Sequence, residues 1–84
     1  MEMIPYKSLE HLAISIEMPP STFRKKVEIL LSDPEIFKEI RTKPYRRLTP
    51  YQFCVLLKYM PDLFHLQRRF SGHLRAILGW EPDC

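Results

Sequence analysis

The sequence predicts a mainly α-helical fold, a single domain over residues 1–84 with about five helices. Three observations carry this. Apolar residues recur at i, i+3, i+4 and i+7 through several stretches of the chain. Eight prolines and only two glycines punctuate those stretches, which suits helices with sharp stops better than the Gly-rich turns of a sandwich or barrel. One stretch, Leu48 to Met60 (LTPYQFCVLLKYM), is apolar nearly all round a helical cylinder, so other helices must cover it on several sides. At 84 residues, the chain has room for a modest core.

Residues 1–7 read as a short arm. Ser8 then caps a first helix whose apolar positions are Leu9, Leu12, Ala13 and Ile16, and Glu17-Met18-Pro19-Pro20 ends it. The paired prolines make a stiff connection, because Pro20 biases Pro19 towards extended geometry. A second helix follows, opened either by Pro20 at its first position or by Ser21 as cap, and running to Leu31. Phe23, Val27, Leu30 and Leu31 form its buried stripe. At about 100° per residue, Ser21, Thr22, Lys25, Glu28 and Ile29 point away from that stripe, with Arg24 and Lys26 on its two flanks. Asp33 and Pro34 restart a helix as N-cap and first position. It carries Ile36, Phe37 and Ile40 inward and fades near Thr42.

Lys43-Pro44-Tyr45-Arg46-Arg47 is a basic connector, through which Pro44 forbids a continuous helix. A short extended wing and a plain loop both fit it. The central helix starts with Thr49 as N-cap, Pro50 at the first position and Gln52 placed to complete a capping box. Leu48 and Phe53 are spaced as a hydrophobic staple, and Pro61 stops the helix. From Asp62 to Leu78 one apolar face persists through Leu63, Leu66, Phe70, Leu74, Ile77 and Leu78, with Ser71-Gly72 as the place for a kink or break. Gly79 suits the helix end, Trp80 folds back on the core, and residues 80–84 form a tail.

Composition narrows the function classes. The 45% hydrophobic and 27% charged content is that of an ordinary soluble globular domain. No apolar run approaches the roughly 20 residues of a membrane span, and MEMIPYK lacks the basic start and apolar stretch of a signal peptide. A cytoplasmic location is expected. Cys54 lies within the central helix and Cys84 at the end of the chain, so a disulfide framework has little support, and Cys54 reads as a small core residue. His11, His65 and His73 have no partners at zinc-ligand spacing, and no phosphate-binding Gly-rich loop or nucleophile motif occurs. The expectation is a protein without catalytic activity, metal or cofactor.

The net charge of +3 conceals an asymmetry. From Ile40 to Trp80 the basic residues are Arg41, Lys43, Arg46, Arg47, Lys58, Arg68, Arg69 and Arg75, against Asp62 alone. The earlier part is slightly acidic apart from Arg24-Lys25-Lys26. Such a pattern fits a polyanionic partner, and equally a solvated basic surface.

Two short helices, a tight turn and a second helix with an outward polar face are the parts of a helix-turn-helix. Residues Leu12 to Arg24 (LAISIEMPPSTFR) resemble the bacterial DNA-reading form of that motif. Ala13 matches the small residue that lets the helices approach, Ile16, Met18 and Phe23 match the apolar filling, and Ser21-Thr22 match the opening of the recognition helix. Glu17 stands where that motif carries a glycine in a left-handed turn, and Pro19 where a serine caps the second helix. Tyr45 to Gln52 (YRRLTPYQ) resembles the wing-to-helix segment of MerR-type and excisionase-type winged-helix proteins. In those proteins a Tyr-Arg pair meets the phosphate backbone and Thr-Pro opens the next helix. The resemblance spans about Ser8 to Met60. The chain also resembles a small uncharacterised helical family of gut anaerobic bacteria, from which no activity carries over.

The resemblance implies an N-terminal helix-turn-helix that binds double-stranded DNA, as a small transcriptional regulator or mobile-element accessory factor. Short polar side chains near the start of a recognition helix suit base edges, and flanking cations suit phosphates. Ser21, Thr22 and Lys25 fill the first role. Arg24, Lys26, Lys43, Arg46 and Arg47 fill the second. The alternative is a non-enzymatic adaptor that holds a protein on the same surface or on the last helix, a role that Glu28 and Ile29 suit better. A homodimer through Leu74, Ile77 and Leu78 is one expectation for the last helix. A chain that bends at Ser71-Gly72 and covers those residues itself is the other.

Overall fold

The fold, a computed structural model, is described for residues 4–44 and 47–82. Among them are five α-helices and one 3₁₀ helix, with no strand. The helices are α1 Leu9–Ser15, α2 Pro20–Leu31, α3 Pro34–Ile40, α4 Pro50–Tyr59 and α5 Ser71–Leu78, with the 3₁₀ segment Pro61–Leu66 between the last two. The radius of gyration is 11.8 Å, the value of about 12 Å expected for one close-packed body of this length.

Helix α4 is the centre. Its start is fixed on both sides of a capping box: the Gln52 backbone N–H donates to Thr49 Oγ1 at 3.2 Å, and the Thr49 N–H donates to Gln52 Oε1 at 3.1 Å. Gln52 is itself buried, and its Nε2 donates to the Thr42 carbonyl at 3.3 Å, so the cap also ties down the preceding connector. Phe53, Cys54, Val55, Leu56 and Leu57 are fully enclosed, and Leu48 and Met60 extend the core at either end. At the far end Gln67 Nε2 donates to the Leu57 carbonyl at 2.7 Å, satisfying one of the carbonyls a helix terminus leaves open.

The other helices cover α4 or one another. In α1, Ser8 accepts from the His11 N–H at 3.1 Å, and Leu9, Leu12 and Ala13 are buried against α2. Helix α2 has Pro20 at its first position with no side-chain cap, and buries Phe23, Val27 and Leu31. Asp33 caps α3 by accepting from the Glu35 N–H at 2.9 Å. Tyr51 then donates to the Glu39 carbonyl, while Lys58 at 3.0 Å and Tyr59 donate to the Glu39 carboxylate, which fastens α3 to α4.

Two features differ from the sequence expectations, and a third selects between two of them. Phe37 is 43% exposed, not inward. With Glu39 held by α4, the buried face of α3 is centred on Ile36, Glu39 and Ile40, and Phe37 falls about 100° from Ile36. The described part of the supposed arm is packed: Ile4 and Tyr6 are buried, and the Tyr6 ring meets Phe53 at 5.4 Å and Phe70 at 6.1 Å. The last apolar face is broken beside Ser71-Gly72, one of the two courses the sequence left open. The 3₁₀ segment ends, the chain turns through Gln67 to Phe70, and α5 starts at Ser71, just before Gly72. Phe70 locks that turn by meeting Phe53 edge-on at 4.9 Å, and α5 lies back along α4 with Leu74 wholly enclosed and Ile77 and Leu78 packed on the core. The residues assigned to a homodimer contact therefore serve their own domain.

Candidate nucleic-acid interface

The link between α1 and α2 is set by backbone geometry. Glu17 has φ 58°, the left-handed region in which a side chain with a Cβ is strained. The Met18 N–H donates to the Ala13 carbonyl at 3.0 Å and the Glu17 N–H to the Ile14 carbonyl at 3.0 Å. These are the two bonds of a Schellman motif, which satisfies the last carbonyls of α1 and reverses the chain. Met18 packs on the core, and Pro19-Pro20 carries the chain straight into α2. The two helices then pack closely through Ala13 and Phe23, both fully buried.

This packing presents Ser21, Thr22 and Lys25 on the exposed face of α2, with Arg24 and Lys26 also exposed. The flanks of α2 differ. On one, Arg24 and Glu28 line a depression of about 140 Å³ with Lys43, over a floor of Leu9, Val27 and Pro44. The Lys43 ammonium lies 3.4 Å from the Glu28 carboxylate. On the other flank, Lys26 pairs with Asp62 at 3.2 Å beside a shallow groove of about 250 Å³ lined by Ile29, Leu30, Met60 and Pro61. Ile29 is 71% exposed there. Of the expected cations, Arg24 and Lys43 thus share a flank, while Lys26 lies on the opposite one, about 200° round the helix, where Asp62, the lone acidic residue of the basic half, pairs with it.

Arg47 is exposed and lies at a third depression with Lys7, Ile4, Tyr6 and Leu48. The Leu48 N–H donates to the Lys7 carbonyl at 3.0 Å, so the connector is pinned to the N-terminal segment and not to a partner strand. Arg46, with Tyr45, lies outside the described residues, as does Cys84. Among the described residues the connector has no β-wing.

Away from α2, the pKa values of Cys54, Lys58 and Tyr59 are raised above their ordinary values. Burial pushes the Cys54 thiol up to about 11, which keeps it protonated and unreactive at neutral pH. Burial pulls the Lys58 ammonium down, but its hydrogen bonds to Glu39 and Tyr59 outweigh this and leave its pKa above the ordinary value. The Glu39 hydrogen bond, helped by burial, raises Tyr59 as well. Among the described residues no three His, Cys, Asp or Glu side chains gather as metal ligands, and no helix is long and apolar enough to cross a membrane.

Sequence reasoning placed the outward residues of α2 correctly but missed the Glu28–Lys43 and Lys26–Asp62 pairs. Both join residues far apart in sequence, and only helix periodicity on each side, without the fold, was legible. In comparisons with protein-family models, curated proteins and solved structures, nothing matches this chain.

Proposed function

We propose that this protein binds double-stranded DNA without catalysis or cofactor, as a small transcriptional regulator or mobile-element accessory factor working in the cytoplasm. The observation that supports it is the α1–turn–α2 unit. A strained left-handed residue at Glu17 sets the two helices at a close packing, and the unit leaves the short polar side chains of Ser21 and Thr22 and the cation of Lys25 uncovered at the start of α2. Helix starts of this composition enter a major groove with their first turns, and nearby cations fix the helix on the phosphates. Arg24, Lys43 and Arg47 are exposed for the second task.

The test is titration of a random duplex at several salt concentrations. Affinity falls as salt rises, with a log–log slope near −0.9 for each phosphate contact. Arg47→Ala weakens binding to all duplexes alike, whereas Thr22→Ala and Lys25→Ala change the preference among sequences by about 1–3 kcal/mol for a good base contact. Salt-independent binding, or variants that all match the parent, would refute the proposal.

The groove beside Ile29 supports a second reading, an adaptor that holds a protein partner. An isoleucine this exposed next to Met60 and Pro61 offers an apolar contact, and the neighbouring Lys26–Asp62 pair removes net charge from its edge. Ile29→Ser distinguishes the readings: the DNA reading expects duplex affinity close to the parent, because only the first turns of α2 enter the groove, and the adaptor reading expects loss of a protein partner with no duplex binding in either form.

A further inference from the structure

Resting on the DNA reading, we infer that the depression between α2 and the connector seats one sugar-phosphate unit of the duplex, with Glu28 as the counter-ion that the phosphate displaces from Lys43. Its floor is apolar, formed by Leu9, Val27 and Pro44, and its rim carries Arg24, Lys43 and Glu28. A bare anion site has polar groups throughout. Here the floor suits the C–H face of a pentose, and the two cations suit the phosphate attached to it. The volume of about 140 Å³ is close to that of cavities that hold one benzene-sized ring, about 150 Å³, so a single pentose fits and a base pair does not.

The ion pair is built to be exchanged. Lys43 Nζ and Glu28 Oε1 are 3.4 Å apart, and their side chains are 55% and 60% exposed. A pair this open is held weakly, and salt screens it further. A single phosphodiester oxygen is no stronger an acceptor than the carboxylate, but the duplex presents a dense row of such charges, and counterion release favours moving the ammonium onto it. Glu28 is then a positioning residue: it keeps Lys43 against α2 in the free protein and holds down the affinity for any polyanion that cannot fill the floor.

Duplex titrations over a range of salt, on parent and variants, test this. Glu28→Gln tightens duplex binding by about two- to fivefold, the equivalent of an exposed ion pair, with the salt slope unchanged because no phosphate contact is added. Lys43→Ala and Arg24→Ala each make the slope shallower by about 0.9. In a Lys43→Ala background the gain from Glu28→Gln disappears. The Leu9 and Val27 methyl resonances shift when duplex is added, whereas inorganic phosphate at equal phosphate concentration leaves them in place. Three outcomes overturn the inference: a Glu28→Gln gain that survives Lys43→Ala, methyls that do not move while duplex binds, and methyls that respond equally to inorganic phosphate. In each of these the DNA reading stands if duplex binding persists with its salt dependence. If neither parent nor Glu28→Gln binds duplex at any salt, both fall together.

Discussion

Among the described residues, two hold backbone angles that side chains seldom adopt, and each does so at a helix end. Glu17, at φ 58°, closes α1, and Arg41, at φ 68° and ψ −42°, closes α3. The Thr42 N–H donates to the Ile40 carbonyl at 2.8 Å across Arg41, a γ-turn of the rare positive-φ form. A left-handed residue with a Cβ costs roughly 1–2 kcal/mol, and glycine returns about half of that relief through its looser unfolded state. Glu17→Gly and Arg41→Gly are therefore each expected to raise stability by about 0.5–1 kcal/mol, read as a higher urea midpoint at unchanged m-value. Cys54 makes a prediction in pH. Its folded pKa of about 11 lies above the ordinary 9.0, so the unfolded chain releases the proton first. Stability is fully present below pH 9 and falls as pH rises towards 11, and the raised Lys58 and Tyr59 act in the same direction. Cys54→Ala is less stable than the parent at neutral pH, because it leaves a small cavity, but its urea midpoint declines less steeply through this alkaline window.

At the scale of the element, α4 depends on its first turn. Gln52 completes the capping box and at the same time satisfies the Thr42 carbonyl from a buried position. Its loss removes the cap and, with it, the bond from the buried amide to the Thr42 carbonyl, and the two effects add. Gln52→Ala is expected to cost about 2 kcal/mol, and Thr49→Ala, which removes the cap alone, about 1 kcal/mol. Denaturant unfolding of both variants checks the order as well as the sizes. Helix α3, by contrast, has only seven residues, too few to stand alone. Its place comes from Ile40 in the core and from Glu39 held by Tyr51, Lys58 and Tyr59 of α4.

For the molecule as a whole, the C-terminal turn decides what surface remains. If α5 continued the 3₁₀ segment in a straight line, it would leave the core and offer Leu74, Ile77 and Leu78 to a second copy. The turn at Gln67 to Phe70 instead returns α5 to α4, and Leu74 is 0% exposed. Leu74→Glu places an unpaired charge in the core and is expected to abolish the cooperative unfolding transition, measured by circular dichroism. A folded, monomeric Leu74→Glu protein would show that the residue lies on an exposed face. The polar face of α2, the Glu28–Lys43 depression and the groove at Ile29 are what this packing leaves open.

The sequence by itself determined where helices start and stop, and which face of each is apolar. Ser8, Asp33 and Thr49 cap because their side chains reach back to N–H groups within a few residues, and Pro20, Pro34, Pro50 and Pro61 act through their own rings. These are local effects, so they are legible in the order of residues. Periodicity also placed Ser21, Thr22 and Lys25 on an outward face, and the resemblance to a helix-turn-helix put Glu17 at a turn suited to glycine. Only the tertiary structure decided that Tyr6 belongs to the core, that Phe37 does not, and that Lys26 pairs with Asp62 and Lys43 with Glu28. Each of these depends on which helix lies beside which, a matter settled by packing around α4 and carried by no short stretch of the chain. The candidate interface was legible as a list of side chains, and its geometry, with the Glu28–Lys43 depression on one flank and the apolar groove at Ile29 on the other, was not.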